Sequence, residues 1–118
     1  MARTVSVVRT VNLESGYPTV EQAVVRMNQA LFSARASGTK VIKLIHGYGS
    51  SGKGGSIRLS VIRELQAKKS AGIIRELVPG DDFSPFSPAG RRLLTAVPEL
   101  SKDPDYSRGN RGITLVLF

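Results

Sequence analysis

Along the chain, apolar and polar positions change period several times, and each change marks an element. Residues 4–13 are rich in valine and threonine with imperfect alternation, which predicts a strand. Ser15-Gly16-Tyr17-Pro18 then carries turn chemistry. Thr19 fits a helix N-cap, with Gln22 at the third helical position of a capping box. Val20, Ala23, Val24, Met27, Leu31 and Ala34 follow at helical spacing, with Arg26 and Arg35 off the stripe toward solvent. Gly38 is placed to end that helix with a left-handed residue. Residues 40–45 form a short apolar run broken only by Lys43, the expected second strand of a β-α-β unit.

Residues 47–55 contain five glycines, too many for regular structure at an acceptable entropic cost, and predict a loop. From Ser56, a candidate cap, the helical period returns with Ile57, Val61, Ile62 and Leu65. Lys68, Lys69 and Gly72 close that helix. Residues 73–78 read as a third strand, followed by the turn Pro79-Gly80-Asp81-Asp82. Four prolines (Pro85, Pro88, Pro98 and Pro104) break up the next stretch, leaving room for a short helix at 91–97. Residues 113–118 are almost purely apolar and predict a buried last strand. The resulting order is β-α-β-α-β-excursion-β, one α/β domain with a small mixed four-stranded sheet and two main helices in two or three layers.

Length and composition narrow the picture. A chain of 118 residues fits a single domain. Aromatic residues make up only 6% and tryptophan is absent, so Val, Ile, Leu and Ala must build the core. Seventeen Lys plus Arg against nine Asp plus Glu give a net charge of +8, which suits a polyanionic partner such as DNA or RNA. The absence of cysteine excludes disulfides, thiol catalysis and thiolate metal sites. No signal peptide or membrane-spanning run is evident, so no membrane association and a cytoplasmic location are expected.

The candidate chemistry lies between the second strand and the second helix, in His46, Gly47, Tyr48, Gly49, Ser50, Ser51, Gly52, Lys53, Gly54, Gly55 and Arg58. Ligands of open α/β sheets collect at this strand-to-helix edge. A helix start offers unpaired N–H groups and partial positive charge, and glycines let successive amides converge on one anion. Lys53 and Arg58 add full charges, and Ser50 and Ser51 add hydroxyl donors. Gly47, Gly52 and Lys53 match the spacing of a nucleotide-binding P-loop, but Gly54 stands where that motif needs Ser or Thr for magnesium. A ligand-free flexible connector is the bland alternative. His46, the only histidine, has two readings: general acid or base, or a structural residue bonded to a backbone group across the loop. A lone histidine makes no dedicated zinc site, and no metal-ligating cluster is apparent. Tyr48 either stacks on a base or shapes the turn. Arg111, just before the last strand, is a further candidate phosphate contact.

The run His46-Gly47-Tyr48-Gly49, followed by SGKGGSIR and a helix, resembles the H-G-x-G motif of the small MutS-related (Smr) domain family. The first amphipathic helix and the closing residues 112–116 resemble the same family, while residues of about 81–108 look like an insertion into a single domain spanning 1–118. The resemblance implies a fold similar to the C-terminal domain of translation initiation factor three. It also implies nucleic-acid binding, with endonuclease activity in many members and variable dependence on a divalent metal such as magnesium. The family's L-D-x-H motif aligns with Val11-Asn12-Leu13-Glu14, so Asn12 replaces its aspartate and Glu14 its histidine. That departure favours fold and binding over cleavage. Any cleavage would fall to His46 as general acid or base with Glu14 as its partner. The competing class is a non-catalytic protein-interaction or structural module, suggested by the degraded motif and the apolar, proline-rich stretch at 83–88.

Overall fold

The computed structural model describes residues 7–47 and 53–118, without the side chains of residues 53 and 54. Its strands are β1 (Val8–Asn12), β2 (Val41–Ile45), β3 (Glu76–Pro79) and β4 (Ile113–Leu117), and its helices α1 (Val20–Ala36), α2 (Lys53–Ser70) and α3 (Pro88–Ala96). Single 3-10 turns lie at Gly80–Asp82 and Pro98–Lys102. The sheet order is β1-β2-β4-β3, with β1 parallel to β2 and β4 antiparallel to both of its neighbours. The C-terminal ends of β1, β2 and β3 therefore share one edge with the N-terminal end of β4.

Both faces of the sheet are covered. On one, Ile42 and Leu44 of β2 and Val116 of β4 pack with Met27 and Leu31 of α1 and Val61 and Leu65 of α2. On the other, Val41, Val78, Leu115 and Leu117 pack with Phe83, Leu93, Val97 and Leu100 of the excursion. The domain thus has three layers, and the central strands β2 and β4 are buried on both faces. That is why they read as continuous apolar runs rather than alternating ones.

The expected start of α1 is present in full. Thr19 Oγ1 accepts from the Gln22 amide at 3.1 Å, and Gln22 Oε1 accepts from the Thr19 amide at 2.9 Å. Gly38 and Gly72, at φ of +79° and +77°, follow the two long helices as expected. Other boundaries move. The helix α2 begins at Lys53 rather than Ser56, so Gly54 and Gly55 lie in its first turn and Ser56 is no cap. Near a helix start the intrinsic penalty of glycine is small beside the packing of Ile57, Val61 and Leu65. Strand β3 starts at Glu76, not residue 73, because the chain from Gly72 still serves to bring α2 back to the sheet. The short helix starts earlier than the expected 91, with Ser87 as its cap and Pro88 at its first position, where proline is favoured. Arg26 does not point to solvent; it is half-buried, for a reason that concerns the site.

Lys43 interrupts the apolar run of β2 for a definite purpose. It points into the excursion side of the sheet, where its ammonium donates to Asp103 Oδ1 at 2.9 Å and pairs with Asp105. Burial opposes the lysine charge, but hydrogen bonds and attraction from Asp105 and Asp103 outweigh it and hold its pKa above 10.5. Asp105 is held below its usual range, first by the Lys43 hydrogen bond. Removing Lys43 would leave the two aspartates side by side, partly buried, without their countercharge. Lys43→Met is expected to cost about 3 kcal/mol in urea denaturation. A loss under about 0.5 kcal/mol, typical of surface sites, would show that the cage does not hold the excursion.

Candidate nucleic-acid interface

The sheet edge just defined gathers His46 and Gly47 from the end of β2, Leu13 and Glu14 from the end of β1, and Arg111 and Gly112 from the start of β4. Gly112 is the junction. Its carbonyl accepts from the amides of both His46 (2.9 Å) and Gly47 (3.0 Å), and its own amide donates to Asn110 Oδ1 at 2.9 Å. Asn110 Nδ2 in turn donates to Asp105 Oδ1 at 2.9 Å. A chain of polar contacts therefore runs from the Lys43 cage to the backbone beside Gly47. Arg111, exposed, sits between Asn110 and Gly112 in that chain.

His46 is fully buried. Its Nδ1 lies 2.6 Å from the Gly47 carbonyl, which can only accept, so Nδ1 carries a hydrogen. The Thr114 hydroxyl, 2.8 Å from Nε2, then donates to that nitrogen in the neutral ring. Burial first, and the nearby Arg58 guanidinium second, push His46 below its ordinary value of 6.5; the Gly47 bond and the Glu14 carboxylate oppose them. Of the two sequence readings of this residue, the arrangement matches the structural one: the ring braces β2 against β4 and fixes the turn at Gly47.

Gly47 has φ of +73°, and a Cβ there would occupy the space of a Glu14 carboxylate oxygen. The left-handed backbone favours glycine here, while the exposed Glu14 side chain could move aside for a Cβ. Glu14 is exposed to solvent while leaning over this turn. The loop that carries it is tied down from both ends. Asn12 Oδ1 accepts from the Glu14 amide at 2.8 Å, an Asx turn that needs a side-chain oxygen but no charge. Asparagine can thus do this part of an aspartate's work. Arg26 reaches from α1 and donates to the carbonyls of Ser15 (2.8 Å) and Leu13 (3.4 Å). Sequence reasoning missed Arg26, because its helical position gave no sign that two carbonyls lay within reach.

Arg58, in the second turn of α2, is half-buried and close enough to act on His46. Gly55 is also half-buried, in the first turn. The candidate residues Tyr48, Gly49, Ser50, Ser51 and Gly52 lie outside the described residues, as does the side chain of Lys53. Arg92 and Arg91 of the excursion do not approach this edge. Arg92 pairs with Glu76 at the opposite end of the sheet, and Arg91 donates to Pro85 O at 3.0 Å. In the Phe83–Phe86 stretch the two rings part: Phe83 is buried against Tyr106, while Phe86 is 89% exposed.

Among the described residues no three His, Asp or Glu side chains come together as a metal-binding group. Glu14 is the acidic group acting on His46. Among the described residues, too, no helix is long and apolar enough to cross a membrane.

Comparison with known proteins agrees on the fold. The crystal structure of the Smr domain of Thermus thermophilus MutS2 superposes with a TM-score of 0.57 over 92% of this chain and 95% of that one, at 24% identity. The chain therefore has the Smr-domain fold. No protein-family model matches the sequence, and no curated protein matches it.

Two measurements check the site geometry. Gly47→Ala should cost about 1 kcal/mol in urea denaturation, from the left-handed backbone. No measurable cost would contradict the left-handed turn at Gly47. As the only histidine, His46 can be titrated by NMR, and its midpoint should lie below 6.5. Because the unfolded chain takes up this proton more readily, stability should be fully present above about pH 6.5 and decline as pH falls below it. A midpoint at or above 6.5 would contradict the buried, neutral ring.

Proposed function

We propose that this chain is a divergent Smr-type domain, with the region of about 81–108 inserted, that binds DNA or RNA without sequence preference. The observation that carries this reading is the convergence on one sheet edge of the Gly47 turn, the start of α2, Arg58 and Arg111. The first-turn amides of an α-helix lack internal partners, and α2 is the next element after β2. A phosphate there would meet backbone donors, the Arg58 and Arg111 cations and the Lys53 side chain. Such contacts supply affinity and register but read no bases, in keeping with a net charge of +8. Tyr48, Gly49, Ser50, Ser51 and Gly52 complete the proposed phosphate loop.

Glu14 favours a second, enzymatic reading. An exposed carboxylate beside the Gly47 turn would take a proton from a water or a ribose hydroxyl attacking phosphorus. In this endonuclease reading His46 acts mainly by holding the turn. For it to exchange protons with substrate, the ring would have to leave either Gly47 O or Thr114.

Fluorescence anisotropy with labelled DNA and RNA across a salt series tests binding. The triple variant Lys53→Ala, Arg58→Ala, Arg111→Ala should weaken binding to all sequences alike and lower the salt slope by about one per lost phosphate contact. Unchanged affinity in that variant would put the interface elsewhere. Glu14→Gln should abolish any cleavage while leaving affinity equal or higher, since it removes a negative charge beside the polyanion. Cleavage that survives in Glu14→Gln would remove this carboxylate from the chemistry.

A further inference from the structure

Three residues beyond Glu14, the β1–α1 loop holds an aromatic ring in an unusual way. Gly16 and Tyr17 are both left-handed, at φ of +81° and +52°. For glycine this conformation is free; for tyrosine it is strained. The strained residue gains no burial in exchange, because Tyr17 is 95% exposed. The backbone around it is nonetheless well fixed. The Tyr17 amide donates to Glu14 O at 3.1 Å, Arg26 holds the Ser15 carbonyl, and the neighbouring Pro18 is buried just before the Thr19 cap. A flexible loop would let the ring relax; this one is braced from α1 and from β1.

Strain at a braced position, with a ring left in water next to the proposed phosphate edge, is a preorganised platform without its occupant. We propose that Tyr17 stacks an unpaired nucleobase, so that the domain prefers single-stranded or locally opened nucleic acid over continuous duplex. The inference rests on the nucleic-acid reading above and names its substrate class. Bases in a duplex stack on each other and offer no free face, whereas an unpaired base does. A stack of this kind accepts any base and is worth about five- to hundredfold in affinity. The phosphate following the stacked base would then run toward Glu14 and Gly47, which gives the carboxylate a fixed position along the strand.

The absence of tryptophan supplies a clean probe, since Tyr17→Trp creates the chain's only indole. Its emission should be quenched by single-stranded DNA and RNA oligonucleotides of about twelve residues, and little changed by the matching duplexes. Tyr17→Gly removes the ring and relieves the strain, so the variant should fold at least as stably as the parent. It should bind the single strands five- to hundredfold more weakly and the duplexes within about twofold. Indifference of the indole to single strands, or a Tyr17→Gly loss that is equal on duplex, would overturn the stacking proposal alone. Failure of the parent protein to bind either form at low salt would instead overturn the nucleic-acid reading, and the stacking proposal with it.

Discussion

The geometry of the candidate interface depends on a charge pair buried on the far side of the sheet. Lys43 replaces what would otherwise be an apolar residue in the middle of a central strand, and a lone buried ammonium is expensive. Its two aspartates come from the turn after the second 3-10 segment, so satisfying the charge draws that stretch of chain under the sheet. From Asp105 the constraint passes to Asn110 and then to Gly112, whose carbonyl holds the amides of His46 and Gly47. The lysine and its two aspartates thus fix the path of residues 103–112.

At the edge itself, opposite requirements are met in a small space. Gly47 needs a backbone that only glycine adopts cheaply, and its missing side chain leaves room for the Glu14 carboxylate. A neutral imidazole below the turn avoids a second buried positive charge next to Arg58. The outcome is a solvent-facing carboxylate over the Gly47 turn, with the buried imidazole hidden beneath it.

Much of this was readable from the residues. The Thr19–Gln22 cap, the Gly38 stop, the parallel β1–β2 unit and the apolar last strand all follow from local rules that packing does not override. The helix α2 did not yield its start, because glycines signal a loop locally while Ile57, Val61 and Leu65 recruit them into the first turn through tertiary contact. Arg26 and Lys43 were visible as charges, but their partners lie 11 to 13 and 60 to 62 positions away, a separation that no periodicity encodes. For the same reason His46 could be located but not assigned: its brace, Thr114, is 68 residues distant.

The order of the strands has a consequence for how the domain comes into being. Strand β4 occupies an interior place in the sheet, between β2 and β3, yet it is the last of the four strands along the chain. A nascent chain that has emerged only as far as residue 112 holds three strands and three helices but lacks the ladder that joins them, and His46 lacks Thr114. Until β4 emerges, the inner edges of β2 and β3 remain unpaired, where a chaperone or an unwanted strand can pair with them. The sheet edge that carries Gly47 is thus organised only once residues 112–117 have joined β2 and β3.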